Sequence, residues 1–423
     1  MTTPTLKGTI QVPGDKSISH RAIIFGSIAE GQTTVSNFLR SNDCLATLQA
    51  FRQMGVHIKE DGNSLTIDGV GMLGLQESQE PLDMQNSGTS TRLMAGLLAG
   101  QHFDSHMVGD ASLSKRPMGR VITPLSEMNG TLVATDGHLP MDIYGEVLHG
   151  IHYRLPIASA QVKSAIILAA LTAQSDTTIE EPLPSRDHSE TMLKLFSPES
   201  IDKEDGLITI HPDHPLKAQH VEVPADISSA AFFLVAGAIV PGSEITIERV
   251  GLNPTRDGII RVLEQMGADL TIDRIDQPGE PMANLTIKAG PLKTFHIEEA
   301  DIPALVDEVP ILALLATAVD GVSTISGAAE LRVKESDRLA AIASELGKLG
   351  ASIEEKPDGL IITGGKPLTV QDEQVDSFGD HRIAMTLKVA SLLLDKEITI
   401  KDEDCMAVSY PTFSTDLNTL IRK

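Results

Sequence analysis

Six apolar segments rich in small residues recur along this chain, and their spacing limits its possible folds more than any other feature. RAIIFGSIAEG, RLMAGLLAG, KSAIILAALTA, AAFFLVAGAIV, VPILALLATAV and RIAMTLKVASLLL begin at Arg21, Arg92, Lys163, Ala230, Val309 and Arg382. The first two intervals are both 71 residues and the other three are close to that, so six units fill the 423 residues. Self-similarity at a fixed period means that one supersecondary unit is used repeatedly.

In most units a second, amphipathic segment follows and stops at Gly, as in LATLQAFRQMG, VITPLSEMNG, GIIRVLEQMG and LAAIASELGKLG. Gly after the last apolar turn is a helix C-cap signal. Short alternating runs such as VHIKED, SLTIDG, ADLTI and ANLTIKAG come next and read as strands. The unit is therefore β-α-β-α-β-β. Its first helix has almost no polar face and must be buried all round, while the amphipathic second helix lies outside. The expected fold class is α/β (α+β), with two similar lobes of three such repeats around buried helices. Pro and Gly mark hinges at Val12-Pro13-Gly14 and at Val223-Pro224-Ala225-Asp226. A cleft between the lobes is the expected ligand site.

The chain carries 58 Asp+Glu against 34 Lys+Arg, a net charge of −24. Nucleic-acid and anionic-membrane partners need a basic excess, so neither is expected. With 41% hydrophobic residues but only 3% aromatics and no Trp, the cores must be aliphatic. Cys44 and Cys405 make no disulfide framework and have no metal-ligand spacing around them. The start, MTTPTLKGTIQV, lacks the apolar core of a secretion signal, and the longest apolar runs are about half of what a membrane span requires. A cytoplasmic protein is expected.

Against this acidic background, cations stand at the entrances of helices, where they oppose the positive end of the dipole. Lys16 and Arg21 lie in PGDKSISHRA, Arg92 in NSGTSTR, Lys163 in SAQVK and Arg382 in GDHR. Second helices repeat the pattern with Arg116, Arg186, Arg256, Lys334 and Arg338. Such cations fit anions held between free backbone N–H groups and basic side chains. A lone Arg at such a place is more often a surface ion pair, which is one reading of Arg256. PGDKSIS is not a nucleotide P-loop, because Asp15 separates Gly14 from Lys16. Among the acids, Glu335 follows Lys334, and Asp307 precedes an apolar helix, where it reads equally as a base or as a dipole-stabilising carboxylate. Asp337 and Asp380 read as positioning their neighbouring arginines. His211 and His214 in HPDH read as a solvated loop, and no metal is assigned to them or to His381.

Together PGDKSISHRA, NSGTSTR, GDASLSKRPM, ASAQVKSA, PSRDHSE, LRVKESDRL and GDHRIAM resemble, in order and over nearly the whole chain, the 5-enolpyruvylshikimate-3-phosphate synthases of the enolpyruvyl transferase family. The resemblance implies an inverse α/β barrel in each lobe, with the first strand crossing back. The lobes are then residues 14–225 and residues 1–13 with 226–423. It implies transfer of the enolpyruvyl group of phosphoenolpyruvate to the 5-hydroxyl of shikimate 3-phosphate, with closure over the substrates, no cofactor and no metal. Matching residues assign Lys16, Ser17, Arg21, Ser159, Ala160, Gln161, Ser185, Arg186, Asp307 and Lys334 to shikimate 3-phosphate. Lys16, Asn86, Gly88, Arg116, Gln161, Arg338 and Arg382 fall to phosphoenolpyruvate. Asp307 is the expected base toward the hydroxyl and Glu335 the acid toward the methylene, with Lys16 stabilising charge. The expected partners are these two small molecules and the inhibitor glyphosate, acting on a monomer.

Two departures from the family pattern are Val408, where some members carry a lysine, and Leu93, where one branch has Pro. Three other readings compete. The sister enzyme acting on a UDP-amino sugar has Lys-Asn in the first motif, where this chain has Lys16-Ser17. A binding scaffold built from repeats has no need of cations at buried helix entrances. An RNA-end-processing relative conflicts with the acidity.

Overall fold

The computed structural model describes residues 4–422. The chain forms two compact units. The first holds Gly14–Pro224 and Gln277–Glu280, and the second holds Met1–Pro13, Ala225–Asp276 and Pro281–Lys423.

In the first unit the apolar segments become α1 (Lys16–Ile28), α3 (Gly88–Ala99) and α5 (Ala160–Ala170), alternating with α2 (Asn42–Gln53), α4 (Gly119–Glu127) and α6 (His188–Phe196). Asp15, Ser87 and Ser159 cap the three buried helices by accepting the N–H of Ile18, Ser90 and Val162. Each cap satisfies a donor that the helix itself cannot. The apolar helices pack so closely that a Cβ on Gly96 of α3 would lie 2.0 Å from the Ala165 carbonyl oxygen of α5. Only glycine permits that approach.

Three four-stranded sheets surround these helices, all on one plan. Leu82–Asp83 runs parallel to Ser105–Val108, which pairs antiparallel with His138–Tyr144, itself antiparallel to Thr131–Thr135. His152–Arg154, Thr177–Glu180, Leu207–Ile210 and Ile201–Glu204 repeat it. In the remaining sheet the leading position, parallel to Glu30–Ser36, is taken by His220–Glu222 from the far end of the unit.

The second unit uses α7 (Ile227–Ile239), α10 (Val309–Thr317) and α12 (His381–Ala390) as its buried helices. Its outer helices are α8 (Gly258–Gln265), α11 (Arg338–Lys348) and α13 (Phe413–Leu420), and a single turn, α9 (Ile302–Leu305), leads into α10. Thr5–Ile10 supplies the leading strand for the α7 repeat, parallel to Glu244–Gly251. The last repeat departs from the expected six-element unit. Among the described residues its sheet is only the parallel pair Gln374–Asp376 and Thr399–Lys401. Elsewhere in this unit Phe233, Tyr410 and Phe413 pack together at centroid distances of 5.3–5.9 Å. Burying one such ring contributes roughly 1.5–3 kcal/mol.

Candidate active site

In the first unit the expected cations gather at the N-terminal ends of the buried helices. Lys16 opens α1 and its Nζ lies 2.9 Å from Asp43 Oδ2 on α2. Burial opposes ionisation of Asp43, but Lys16, with His20 and Arg116, outweighs it and holds the carboxyl below its usual range. One turn on, Arg21 is only 3% exposed. Its Nε donates to Ser189 Oγ at 2.7 Å, Nη2 to Ser164 Oγ at 2.8 Å and Nη1 to the Ser17 carbonyl at 3.0 Å. Burial lowers its pKa to about 10, so it is a fixed cation at neutral pH.

Gln161 links the α3 and α5 termini. Its Oε1 accepts from Arg92 Nη1 at 2.6 Å and its Nε2 donates to Thr89 Oγ1 at 3.1 Å. Arg116 Nη2 donates to Asn86 Oδ1 at 2.8 Å, and Asn86 Nδ2 to Asp110 at 2.7 Å. Burial, and then repulsion from Arg116 and Arg120, lower the Arg92 pKa to about 10. These guanidiniums repel one another in the absence of an anion. Gly88 lies beside them, and a Cβ there would be 2.9 Å from Arg92 Nη1 and 3.4 Å from Arg116 Nη1. Ser159 and Ala160 stand half-buried at the start of α5, and Ser185 and Arg186 lie in the loop before α6.

In the second unit everything converges on Arg338, which is 1% exposed at the first position of α11. Its Nε lies 2.8 Å from Asp380 Oδ2, its Nη2 2.6 Å from Glu335 Oε2 and its Nη1 3.4 Å from Asp307 Oδ1. Burial opposes this charge, but Asp380, Glu335 and Asp307 outweigh it and raise the guanidinium pKa above its ordinary value. Arg382 Nε lies 3.5 Å from the same Asp307 oxygen. Asp307 therefore stands beside two arginines. The α10 N-cap is Glu308, which makes no side-chain cap. Buried Glu308 accepts from Ser228 Oγ, and burial followed by Asp307 raises its pKa. Burial also acts to raise Glu335, but Arg338, His381 and a backbone hydrogen bond together hold it below the carboxylate range. It is thus ionised without substrate. Lys334 pairs with Glu330.

Several expectations change. Lys163 is fully buried between Glu181 and Glu190 and so cannot offer its charge to an anion. Arg256 is not a surface pair, being 3% exposed with Nη2 2.8 Å from Ser228 Oγ. Asp380 clamps Arg338 rather than its neighbour's guanidinium, while Asp337 caps α11 and pairs with Arg332 at 2.9 Å. The loop expected at His211 and His214 is present, with His214 exposed and His211 3.0 Å from both Asp176 and Asp202. Asp43, Glu181, Glu190 and Glu308 were not singled out from sequence. Asp43 and Glu190, acids in the first turns of the outer helices α2 and α6, carried a local signal.

Residues 2–417 match the family model for EPSP synthase (3-phosphoshikimate 1-carboxyvinyltransferase). A 3-phosphoshikimate 1-carboxyvinyltransferase of Leuconostoc citreum is 54% identical over 98% of this chain and 96% of its own length. One from Geobacillus kaustophilus is 48% identical over 99% of this chain and 98% of its own. The solved EPSP synthase of Acinetobacter baumannii superposes with a TM-score of 0.92 at 45% identity, covering 100% of this chain and 98% of that one. Similarity of this extent, over a chain whose repeats and basic helix entrances were already evident, places it in a known group: the chain belongs to the EPSP synthase (3-phosphoshikimate 1-carboxyvinyltransferase) family.

Proposed function

We infer that this chain transfers the enolpyruvyl group of phosphoenolpyruvate to the 5-hydroxyl of shikimate 3-phosphate, releasing phosphate. The observation that carries the site assignment is the pair of carboxylates, Asp307 and Glu335, sharing the buried Arg338 with Arg382 alongside. In the addition step the methylene gains a proton and becomes a methyl, while the 5-oxygen attacks the adjacent carbon and loses its proton. The resulting tetrahedral ketal phosphate collapses by loss of a methyl proton and expulsion of phosphate.

Asp307, kept near two cations, is the base toward the hydroxyl. Glu335 must be protonated to act as the acid. The carboxylate of phosphoenolpyruvate, on taking up Arg338 and Arg382, competes with Glu335 for the guanidinium that holds it ionised. Losing that partner raises the Glu335 pKa where a proton donor is required. Lys16 and Arg116 supply further positive charge, with Asn86, Gly88 and Gln161 shaping the phosphoenolpyruvate side. Ser17, Arg21, Ser159, Ala160, Gln161, Ser185, Arg186 and Lys334 take shikimate 3-phosphate. The reading includes inhibition by glyphosate and a cytoplasmic monomer, and no helix among the described residues is long and apolar enough to cross a membrane.

Phosphate release tests it. Turnover is expected with shikimate 3-phosphate plus phosphoenolpyruvate and not with UDP-N-acetylglucosamine plus phosphoenolpyruvate. The opposite preference would assign the chain to the sister reaction.

A further inference from the structure

Lys163 has no solvent exposure, yet it lies in the first turn of α5, directly after the residues assigned to shikimate 3-phosphate. Its Nζ stands 3.0 Å from Glu181, 2.7 Å from Glu190 and 3.4 Å from the Ser185 carbonyl oxygen. Glu181 in turn accepts the Ser185 backbone N–H at 3.0 Å and the Ser185 hydroxyl. Ser164, the next residue of α5, joins Ser189 of α6 at 2.7 Å, and both hold Arg21. One buried ammonium therefore cross-links α5, the strand end at Glu181, the loop of Ser185 and Arg186, and α6. Buried ion groups add little net stability compared with apolar replacements of the same size, so stability alone is a weak reason for this one.

We propose that Lys163 and Glu181 are positioning residues for shikimate 3-phosphate, setting the loop of Ser185 and Arg186 against the Ser159–Gln161 terminus of α5. This rests on the assignment of those residues to that substrate. The Ser185 hydroxyl has one proton, and in the substrate-free protein Glu181 receives it. Binding a phosphate oxygen requires that proton to turn away from Glu181. Lys163 and the Ser185 N–H remain on the carboxylate, so it is never left buried without a partner.

The test is calorimetric titration with shikimate 3-phosphate, together with steady-state kinetics, on K163M, K163M/E181M and S185A. The double variant removes the Lys163–Glu181 pair without changing net charge and leaves Glu190 with Lys203 at 3.7 Å, and it carries the test if K163M alone does not fold. Folded K163M/E181M is expected to bind shikimate 3-phosphate at least about tenfold more weakly, with kcat at saturation and KM for phosphoenolpyruvate within about threefold of the parent. A generally loosened fold would shift all three. Affinity within about twofold of the parent in the folded double variant, with S185A weakened, overturns the positioning role alone. Unchanged affinity in S185A overturns the underlying assignment of Ser185.

Discussion

Arg338 Nη2 stands 2.6 Å from Glu335 Oε2, less than one helical turn away, although the guanidinium is 1% exposed and the carboxylate 41%. The pair couples an enclosed cation to a reachable acid. Glu335→Gln removes the proton donor while keeping a hydrogen-bond acceptor for Arg338. We expect kcat to fall roughly 10²–10⁴-fold, the usual contribution of a general acid or base. Substrate dissociation constants from calorimetry should stay within a few fold. Near-normal kcat in this variant would remove Glu335 from the chemistry.

Asp307 stands beside arginines on both α11 and α12. Asp307→Ala should therefore bind both substrates and lose at least about a hundredfold in kcat. Turnover close to that of the parent, with binding intact, would show that another group takes the hydroxyl proton.

Gly88 has two guanidiniums against it, so a methyl there must displace Arg92 first and Arg116 second. Overpacking costs about 1–3 kcal/mol, and the inhibitor, with a longer chain between carboxyl and phosphorus, has less freedom to adjust than the substrate. Gly88→Ala should raise the glyphosate inhibition constant about tenfold or more and KM for phosphoenolpyruvate by less. Inhibition kinetics showing equal losses of both would contradict this.

The apolar helices were legible because a segment with no polar face has only one place to go, and Gly96 shows how closely those helices then pack. Which helix-entrance cations face solvent was not legible. Lys163 and Arg116 look alike in sequence, but Glu181 and Glu190, remote along the chain, enclose the lysine. Local adjacency also misled for Asp337 and Asp380. The acid that clamps Arg338 lies 42 residues away, across an intervening hairpin and strand, whereas the immediate neighbour caps the helix. The two-stranded last repeat was likewise hidden, since the strand after α13, Ile421–Arg422, pairs with Thr5 and Leu6 in the sheet of the α7 repeat.

His20 and His381 are both buried neutral, their pKa values pushed down to about 3 chiefly by burial. Unfolded histidine titrates near 6.5, so between about 6.5 and 3 the unfolded chain takes protons that the folded one refuses. Stability is thus complete above about pH 6.5 and falls as pH drops. At pH 4.5 each imidazole removes roughly 2–3 kcal/mol. Urea melts from pH 7 to 4.5 should show this loss. His20→Gln, which can still bond Thr47, should recover about half of it, and an unchanged pH slope in that variant would count against the assignment.

The central claim is that one methylene is protonated and then deprotonated within a single turnover. Running the reaction in D2O to partial conversion and examining the enolpyruvyl product by proton NMR tests it directly. Addition and elimination through a methyl-bearing intermediate predicts deuterium in the product's vinyl group, and Glu335→Gln should suppress both incorporation and turnover. Product formed with no deuterium in that group would contradict the account.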